Sequence, residues 1–264
     1  MKHKKLLFFD IDGTLYWDGR VSERNVEAMK RVQEDGNLLI LNTGRSIGFA
    51  PRNVLGCVDW DGMICGAAYV TLGGEVLHSA VLPPEALRDM CRFCEENGVI
   101  GIFEGEGGMY LFCPTAAAVD DFEQRRRAHP EINWARTSPE LIESGYDGMR
   151  ITKAALGGRK GLVYPEHFSG VYVLDMGGSA EVYLNGYDKS TGMRLIGRRL
   201  CMGRGDMLAF GDSKNDVDML KYAGVSAVME HAPEEALRYA TLRLHSSPDG
   251  VAECLQELFA PLFA

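Results

Sequence analysis

The chain has 264 residues, 46% of them hydrophobic, and a formal net charge of −9; that length holds one large domain or two ordinary ones. The acidic balance argues against a nucleic-acid backbone as partner, and no apolar run reaches the ~18 residues expected of a membrane span. Seven cysteines, at 57, 65, 91, 94, 113, 201 and 254, are scattered without even pairing. Met1-Lys2-His3-Lys4-Lys5 is followed by four apolar residues only, short of a ~7–15-residue signal core. A soluble, cytoplasmic protein of a reducing compartment is expected.

Leu6 to Phe9 reads as a buried parallel strand. It runs into Asp10-Ile11-Asp12-Gly13-Thr14-Leu15, which places two carboxylates at the strand's carboxyl end, the end where α/β sheets bind ligands. Side chains two apart project to the same side of a strand. At ~4 Å two such charges repel by about 4 kcal/mol at an effective dielectric of ~20, so a cation, a proton or a lysine must relieve them. Ser22 then reads as an N-cap, and Val26, Met29 and Val32 give helical spacing up to Gly36. Leu38 to Leu41 is a second buried strand, stopped by Asn42-Thr43-Gly44-Arg45. The β-α-β pattern implies a parallel sheet with a right-handed crossover. Residues 63–70 and 75–78 read as short strands around the turn Leu72-Gly73-Gly74.

Pro83-Pro84 marks a boundary. Beyond it the spacing predicts a helix over 84–97, strands over 99–103 and 109–112, a charged helix over 116–128, and strands over 149–154, 171–174 and 181–184. Cys91-x-x-Cys94 lies on the apolar face of the first helix and reads as ordinary packing; Arg125-Arg126-Arg127 reads as a solvated helix face. From 206 the α/β alternation of the first 82 residues resumes, with a strand over 207–210, a helix over 215–222, a strand over 225–229 and a last helix over 252–258. The fold expected is α/β: a doubly wound, Rossmann-like parallel-sheet core of residues 1–82 and 185–264, with an α+β domain of residues 83–184 inserted into it.

Three further segments are candidates to converge on Asp10 and Asp12. Thr43-Gly44-Arg45 offers a hydroxyl and backbone amides for an oxyanion. Asp188-Lys189-Ser190-Thr191-Gly192 opens a helix, where Lys189 adds a positive charge to the helix N-terminus. Gly211-Asp212-Ser213-Lys214-Asn215-Asp216 brings more carboxylates to a strand end. Each has an ordinary reading as well: Thr43 and Asn215 as helix caps, Lys189 as a solvated lysine, Asp216 as a first-turn acid.

Taken together and in order, Asp10-x-Asp12-Gly-Thr-Leu, Thr43-Gly-Arg, Lys189 and Gly211-Asp-x-x-Asn-Asp resemble the motifs of the haloacid-dehalogenase-like hydrolases. The position of the insert is similar to that of the Cof-type group, which carries an α/β (type IIB) cap there. The resemblance implies a phosphatase in which Asp10 is the nucleophile that forms an aspartyl-phosphate, Asp12 the acid/base, and Thr43 and Lys189 the groups holding the phosphoryl. It further implies Mg²⁺ bound by Asp10, the carbonyl of Asp12 and Asp212, with Asn215 and Asp216 supporting that shell and orienting Lys189. Gly44, Arg45 and Asn215 join the phosphate-binding set, Arg45 either touching substrate or pairing with an acid. Glu104, Glu106 and the glycines beside them are candidates to face the active site from the cap, although glycine serves a hairpin turn regardless. The implied substrate is a small phosphorylated metabolite such as a sugar phosphate, handled by a monomer or homodimer. A phosphomutase of the same superfamily and a non-catalytic phosphometabolite-binding protein are the alternatives.

Two loops depart from the family pattern. Glu230-His231 stands where a Gly-Asn pair is common, and Ser246-Ser247-Pro248-Asp249-Gly250-Val251 lacks a usual asparagine. Both are expected to lie away from the four motifs. The histidines show no ligand spacing and are not expected to bind metal.

Overall fold

The computed structural model describes residues 4–159 and 161–263, the side chains of 145–147 excepted; Met1, Lys2 and His3 of the basic N-terminal run lie outside these residues. Two compact units form. The first runs to Gly44, resumes over Ala50–His78, and takes the chain again from Asp188; the second comprises Arg45–Phe49 and Ser79–Tyr187. The unit boundaries thus fall a few residues outside 83 and 184, and the segment after Gly44 packs with the inserted unit. Among the described residues no helix is long and apolar enough to cross a membrane.

The first unit is built on a sheet in the order Leu242–Leu244, Val225–Met229, Met207–Gly211, Leu6–Phe9, Leu38–Thr43, Gly62–Cys65, Tyr69–Leu72, Glu75–Ser79. The first six of these strands are mutually parallel, and Tyr69–Leu72 turns back antiparallel. Leu6–Phe9 is central: within this sheet the strands from Leu38 to Ser79 step to one side, and those after residue 206 lie on the other. The chain direction across the sheet therefore reverses between Leu6–Phe9 and Met207–Gly211, the switch point at which such sheets open a crevice.

The unbroken apolar strands follow from burial on both faces. Leu7, Phe9, Leu39, Leu208 and Phe210 face one core, shared with Ala28, Met29 and Val32 of helix Glu23–Glu34 and with Val251 and Leu255 of helix Gly250–Leu258. Their neighbours Leu6, Phe8, Ile40 and Ala209 face the other, shared with Met193 and Ile196 of helix Lys189–Leu200 and with Met219 and Leu220 of helix Val217–Tyr222. The alternation is the period of two of a strand. Ser22 caps the first helix as the sequence predicts, accepting from the amide of Asn25.

The second unit carries a sheet in the order Trp134–Thr137, Met109–Phe112, Gly101–Gly105, Ile151–Leu156, Ala180–Leu184, Val171–Asp175, His167–Phe168. Trp134–Thr137 pairs parallel with Met109–Phe112, whereas the other neighbours pair antiparallel. Helix Pro84–Asn97 starts with Pro84 in its first turn and stops at Gly98, whose φ of 66° is left-handed. Its buried face, including Cys91 and Cys94, packs against Phe103, Ala154 and Val182; burial pushes the Cys91 thiol up to about 12, so it stays protonated and packs as a small hydrophobe. Arg125 and Arg126 pair with Asp121 and Glu123 along their own exposed helix at 2.9 and 2.8 Å.

The structure corrects several sequence-based expectations. Residues 63–70 are two strands, Gly62–Cys65 and Tyr69–Leu72, because Gly66 and Ala67 take φ of 56° and 62° and turn the chain. The strand expected at 99–103 is Gly101–Gly105, and that at 149–154 is Ile151–Leu156. Helix Pro139–Met149 and strands Trp134–Thr137 and Leu242–Leu244 have no sequence-based counterpart.

Asn25 is fully buried and joins the ends of the first unit: its Nδ2 donates to the Pro248 carbonyl and its Oδ1 accepts from the Ala252 amide, both at 2.8 Å. The latter is an amide of the last helix's open N-terminal turn. Asn25→Ala leaves two buried polar groups unpaired and is expected to cost about 2–4 kcal/mol, read as a lower denaturant midpoint at unchanged m-value.

Candidate active site

The site grows from three neighbouring strand ends. Phe9 is in register with both Leu41 and Phe210, so Asp10, Thr43 and Asp212 leave the same edge of the sheet within two residues of that level. The Asp10 amide still donates to the Phe210 carbonyl at 3.0 Å. Residues 11–16 then close a tight turn in which the Ile11 carbonyl accepts from the amides of Leu15 and Tyr16 at 3.0 and 2.8 Å. Gly13 makes the turn possible with φ of 79°.

This turn changes one expectation. The strand ends at Phe9, so Asp10 and Asp12 do not share the side of a strand: Asp10 is buried and Asp12 exposed. The acids that crowd Asp10 are instead Asp212 and Asp216, with carboxylate oxygens of all three within 4.8 Å of one another.

Lys189 supplies the relief that the acidic motif demands. Its Nζ lies 2.6 Å from Asp10 Oδ1 and 2.5 Å from Asp216 Oδ1, and the residue is 2% exposed. Its helix is fixed at the N-terminus by a capping box. Asp188 accepts from the Ser190 and Thr191 amides, and the Asp188 amide donates to Thr191 Oγ1 at 3.2 Å. Asn42, also fully buried, donates from Nδ2 to the Lys189 carbonyl at 3.0 Å. Asn42 is absent from the sequence-based set of site residues; its position next to Thr43 at a buried strand end is the signal that points to it.

The neighbouring acids divide the work. Asp216 Oδ2 accepts from the amides of Asp212 and Ser213 at 3.0 and 2.9 Å while Oδ1 meets Lys189. Both its oxygens are thereby committed to shaping the loop and holding the lysine. Asp216 is the acid of this loop that meets Lys189, and Asn215 Oδ1 accepts from Ser213 Oγ at 2.9 Å. Asp212 faces the turn: its Oδ1 accepts from Thr14 Oγ1 at 2.9 Å. A Cβ on Gly13 would stand 2.5 Å from Asp212 Oδ2 and displace that carboxylate, so the φ that favours glycine here also leaves Asp212 in place.

Thr43 is buried at its strand end, with its carbonyl accepting from the Gly66 amide at 3.1 Å, and Gly44 closes that stretch of the first unit. Arg45 folds with the second unit, its guanidinium 4.7 Å over the Phe49 ring. Glu104 and Glu106 are also held within that unit. Glu104 Oε2 accepts from the Ser46 amide at 3.0 Å and Oε1 lies 3.6 Å from Lys153; Glu106 pairs with Arg150 at 2.9 Å.

The expectation that the two divergent loops lie away from the motifs is overturned. His231 Nε2 is 3.3 Å from Asp212 Oδ2, and His231 Nδ1 is 2.8 Å from Ser246 Oγ. Strand Val225–Met229 is parallel to Met207–Gly211, so the loop that follows it rises beside Asp212.

Three carboxylates and one ammonium leave two negative charges uncompensated if all are ionised. Burial, then Asp216, pushes the Asp10 carboxyl well above the usual carboxylate range against the pull of Lys189. Asp212 is raised by burial and by Asp216. Burial pulls the Lys189 ammonium down, but Asp10 and Asp216 outweigh it and hold it above its ordinary value. The cluster of Asp10, Asp212 and Asp216 offers oxygen alone, and Gly13 leaves the Asp212 carboxylate room. Such a set fits a hard divalent cation and suits zinc poorly.

Because the folded carboxyl of Asp10 titrates above its unfolded value of about 3.9, its contribution to stability is complete below that value and is lost as pH rises through the raised one. Asp10→Asn removes this loss. In chelator-treated protein the variant is expected to melt above the parent at pH 8, with the gap closing toward pH 4, as measured by thermal unfolding across that range.

The sequence matches a family model described as haloacid dehalogenase-like hydrolase over residues 7–255. It is 27% identical to YkrA of Bacillus subtilis (strain 168) across 96% of this chain and 97% of that protein. It is 26% identical to a phosphoglycolate phosphatase of Nitrosopumilus maritimus (strain SCM1) across 99% of this chain and 98% of the relative. The fold superposes on the HAD subclass IIB sugar phosphatase BT4131 with a TM-score of 0.80 and 24% identity, covering 97% of this chain and 99% of that one. The chain belongs to the haloacid dehalogenase-like hydrolases and is an enzyme of that family's phosphatase group.

Proposed function

We propose that the chain is a Mg²⁺-dependent phosphatase of small phosphomonoesters, acting through an aspartyl-phosphate on Asp10. The observation that carries this reading is the buried Asp10, gripped on one oxygen by Lys189 and crowded by two further acids. A binding site for a phosphate anion has no use for so many carboxylates, whereas a nucleophile beside a cation does. Asp10, Asp212 and the carbonyl of Asp12 would hold Mg²⁺, which when bound supplies positive charge to the transferring phosphoryl group.

Asp10 attacks phosphorus while the P–O bond to the alcohol breaks. Asp12 gives its proton to the departing oxygen, then takes one from the water that opens the acyl phosphate, releasing inorganic phosphate and restoring Asp10. The exposure of Asp12 suits a group that exchanges protons with solvent. Lys189 and the Thr43 hydroxyl hold the phosphoryl oxygens and neutralise charge, with Gly44, Arg45 and Asn215 as supporting phosphate contacts. Small metabolites are favoured as substrates because relatives named for phosphoglycolate and for sugar phosphates share this length and fold. The inserted unit is read as the cap that selects among them, and a reducing, cytoplasmic setting suits the seven free cysteines.

A panel of sugar phosphates and phosphorylated small acids, assayed for inorganic phosphate with and without Mg²⁺, tests the proposal. Release only with Mg²⁺ is expected. Formation of an isomeric phosphate without free phosphate would mark a mutase, and ligand binding without turnover a non-catalytic protein. Asp10→Asn is expected to lower turnover by more than about a thousandfold with the far-UV spectrum unchanged. In Gly13→Ala the methyl group crowds Asp212, and a rise in the Mg²⁺ concentration needed for half-maximal rate of about tenfold or more is expected.

A further inference from the structure

We infer that His231 is a positioning residue that aims Asp212 at the metal ion; this rests on Asp212 being a ligand, as proposed for the phosphatase. The hydrogen bonds assign the imidazole's tautomer. An ionised Asp212 carboxylate only accepts, so His231 Nε2, 3.3 Å from its Oδ2, carries the ring proton. A neutral ring then presents Nδ1 as acceptor to the Ser246 O–H, 2.8 Å away, while Ser246 Oγ accepts from the His231 backbone amide at 2.9 Å. The carboxylate and the serine together therefore hold the histidine as a donor aimed at Asp212.

The contact belongs to a closed ring of interactions. Asp212 Oδ1 accepts from Thr14 Oγ1 at 2.9 Å. The Thr14 carbonyl accepts from Trp17 Nε1 at 3.0 Å. The Trp17 ring stands edge-on against His231, with centroids 5.5 Å apart. Starting from Asp212, the path passes through Thr14, Trp17 and His231 and returns to Asp212, so each carboxylate oxygen has its own donor and the carboxylate plane is fixed from both sides. Outer partners of this kind set the orientation of a ligand and commonly change metal affinity by about 10–100-fold when removed. The His231 side chain is 40% exposed, so its replacement leaves the two cores intact.

The test measures Mn²⁺ binding directly, by electron paramagnetic resonance of free Mn²⁺, on the full chain and its variants. His231→Ala is expected to weaken binding by about tenfold or more. His231→Gln, whose side-chain amide can donate to Asp212, is expected to recover most of the loss, and Ser246→Ala, which frees the ring to turn, to fall between. Unchanged affinity in His231→Ala, with binding lost in Asp212→Asn, would overturn the inference and leave the metal site standing. Equal weakening in the alanine and glutamine variants would also overturn it, since packing rather than a donor would be at work. Wild-type affinity in Asp212→Asn would overturn the ligand assignment itself.

Discussion

The ammonium of Lys189, buried between Asp10 and Asp216, is the interaction on which the site depends. It ties together three stretches of chain that only the fold brings near: the end of the first strand, the start of a helix, and the loop after Met207–Gly211. Buried ion pairs are poor sources of stability, because desolvating the charges offsets much of their attraction. A buried lysine with two acids, next to a third acid, is therefore a functional arrangement carried by the stability of the apolar strands beneath it. It is also incomplete: one ammonium cannot neutralise three carboxylates. Burial first, and then the neighbouring acids, raise the Asp10 and Asp212 carboxyls, and a divalent cation is a species that would offset the surplus charge.

The division between Asp212 and Asp216 shows how the imbalance is arranged in space. The two acids stand four positions apart in one loop. Asp216 turns inward, is wholly buried, and spends one oxygen on two backbone amides and the other on the lysine. Asp212 is braced from its flanks, by Thr14 on one oxygen and His231 on the other. Hydroxyl and imidazole donors fix a carboxylate's direction while leaving its remaining lone pairs able to meet a cation. One acid thus builds the scaffold and the other is held ready, although composition and spacing alone make them look alike.

Much of this is legible in the sequence because the chemistry sits on short motifs at the ends of apolar strands, and such strands declare themselves. The doubly wound core, Asp10 beside Lys189, and Asp212 near the first acidic motif all follow from those motifs. The failures have physical causes. Ala67 adopts a left-handed φ inside an otherwise apolar run, which no hydropathy pattern reveals. Helix Pro139–Met149 contains Gly145 and Gly148, whose low helix propensity hides it. His231 and Ser246 look remote from the motifs because they stand 19 and 34 positions beyond Asp212 in sequence. Parallel strands nevertheless deliver successive loops to one edge of the sheet, so distance along the chain is no guide there. Trp17 is hidden for a related reason: its indole reaches back to Thr14 across the tight turn that Gly13 permits.

The positions at which the chain passes between its two units complete the picture. Of the four passages, one lies at Gly44–Arg45 and another at Tyr187–Asp188. The first directly follows Thr43 and the second directly precedes Lys189, the two side chains proposed to hold the phosphoryl group. Neither interrupts Leu6–Phe9 or Met207–Gly211, the strands that carry Asp10 and Asp212. Sequence change in the inserted unit can therefore proceed without touching the register that positions the carboxylates. On the Lys189 side the start of the helix is fixed locally, because both bonds of the Asp188 capping box are made within residues 188–191. The carboxylates and the lysine are thus positioned by strands and by a helix start that lie wholly within the first unit, and the phosphoryl-holding role proposed for Thr43 and Lys189 rests on residues of that unit alone.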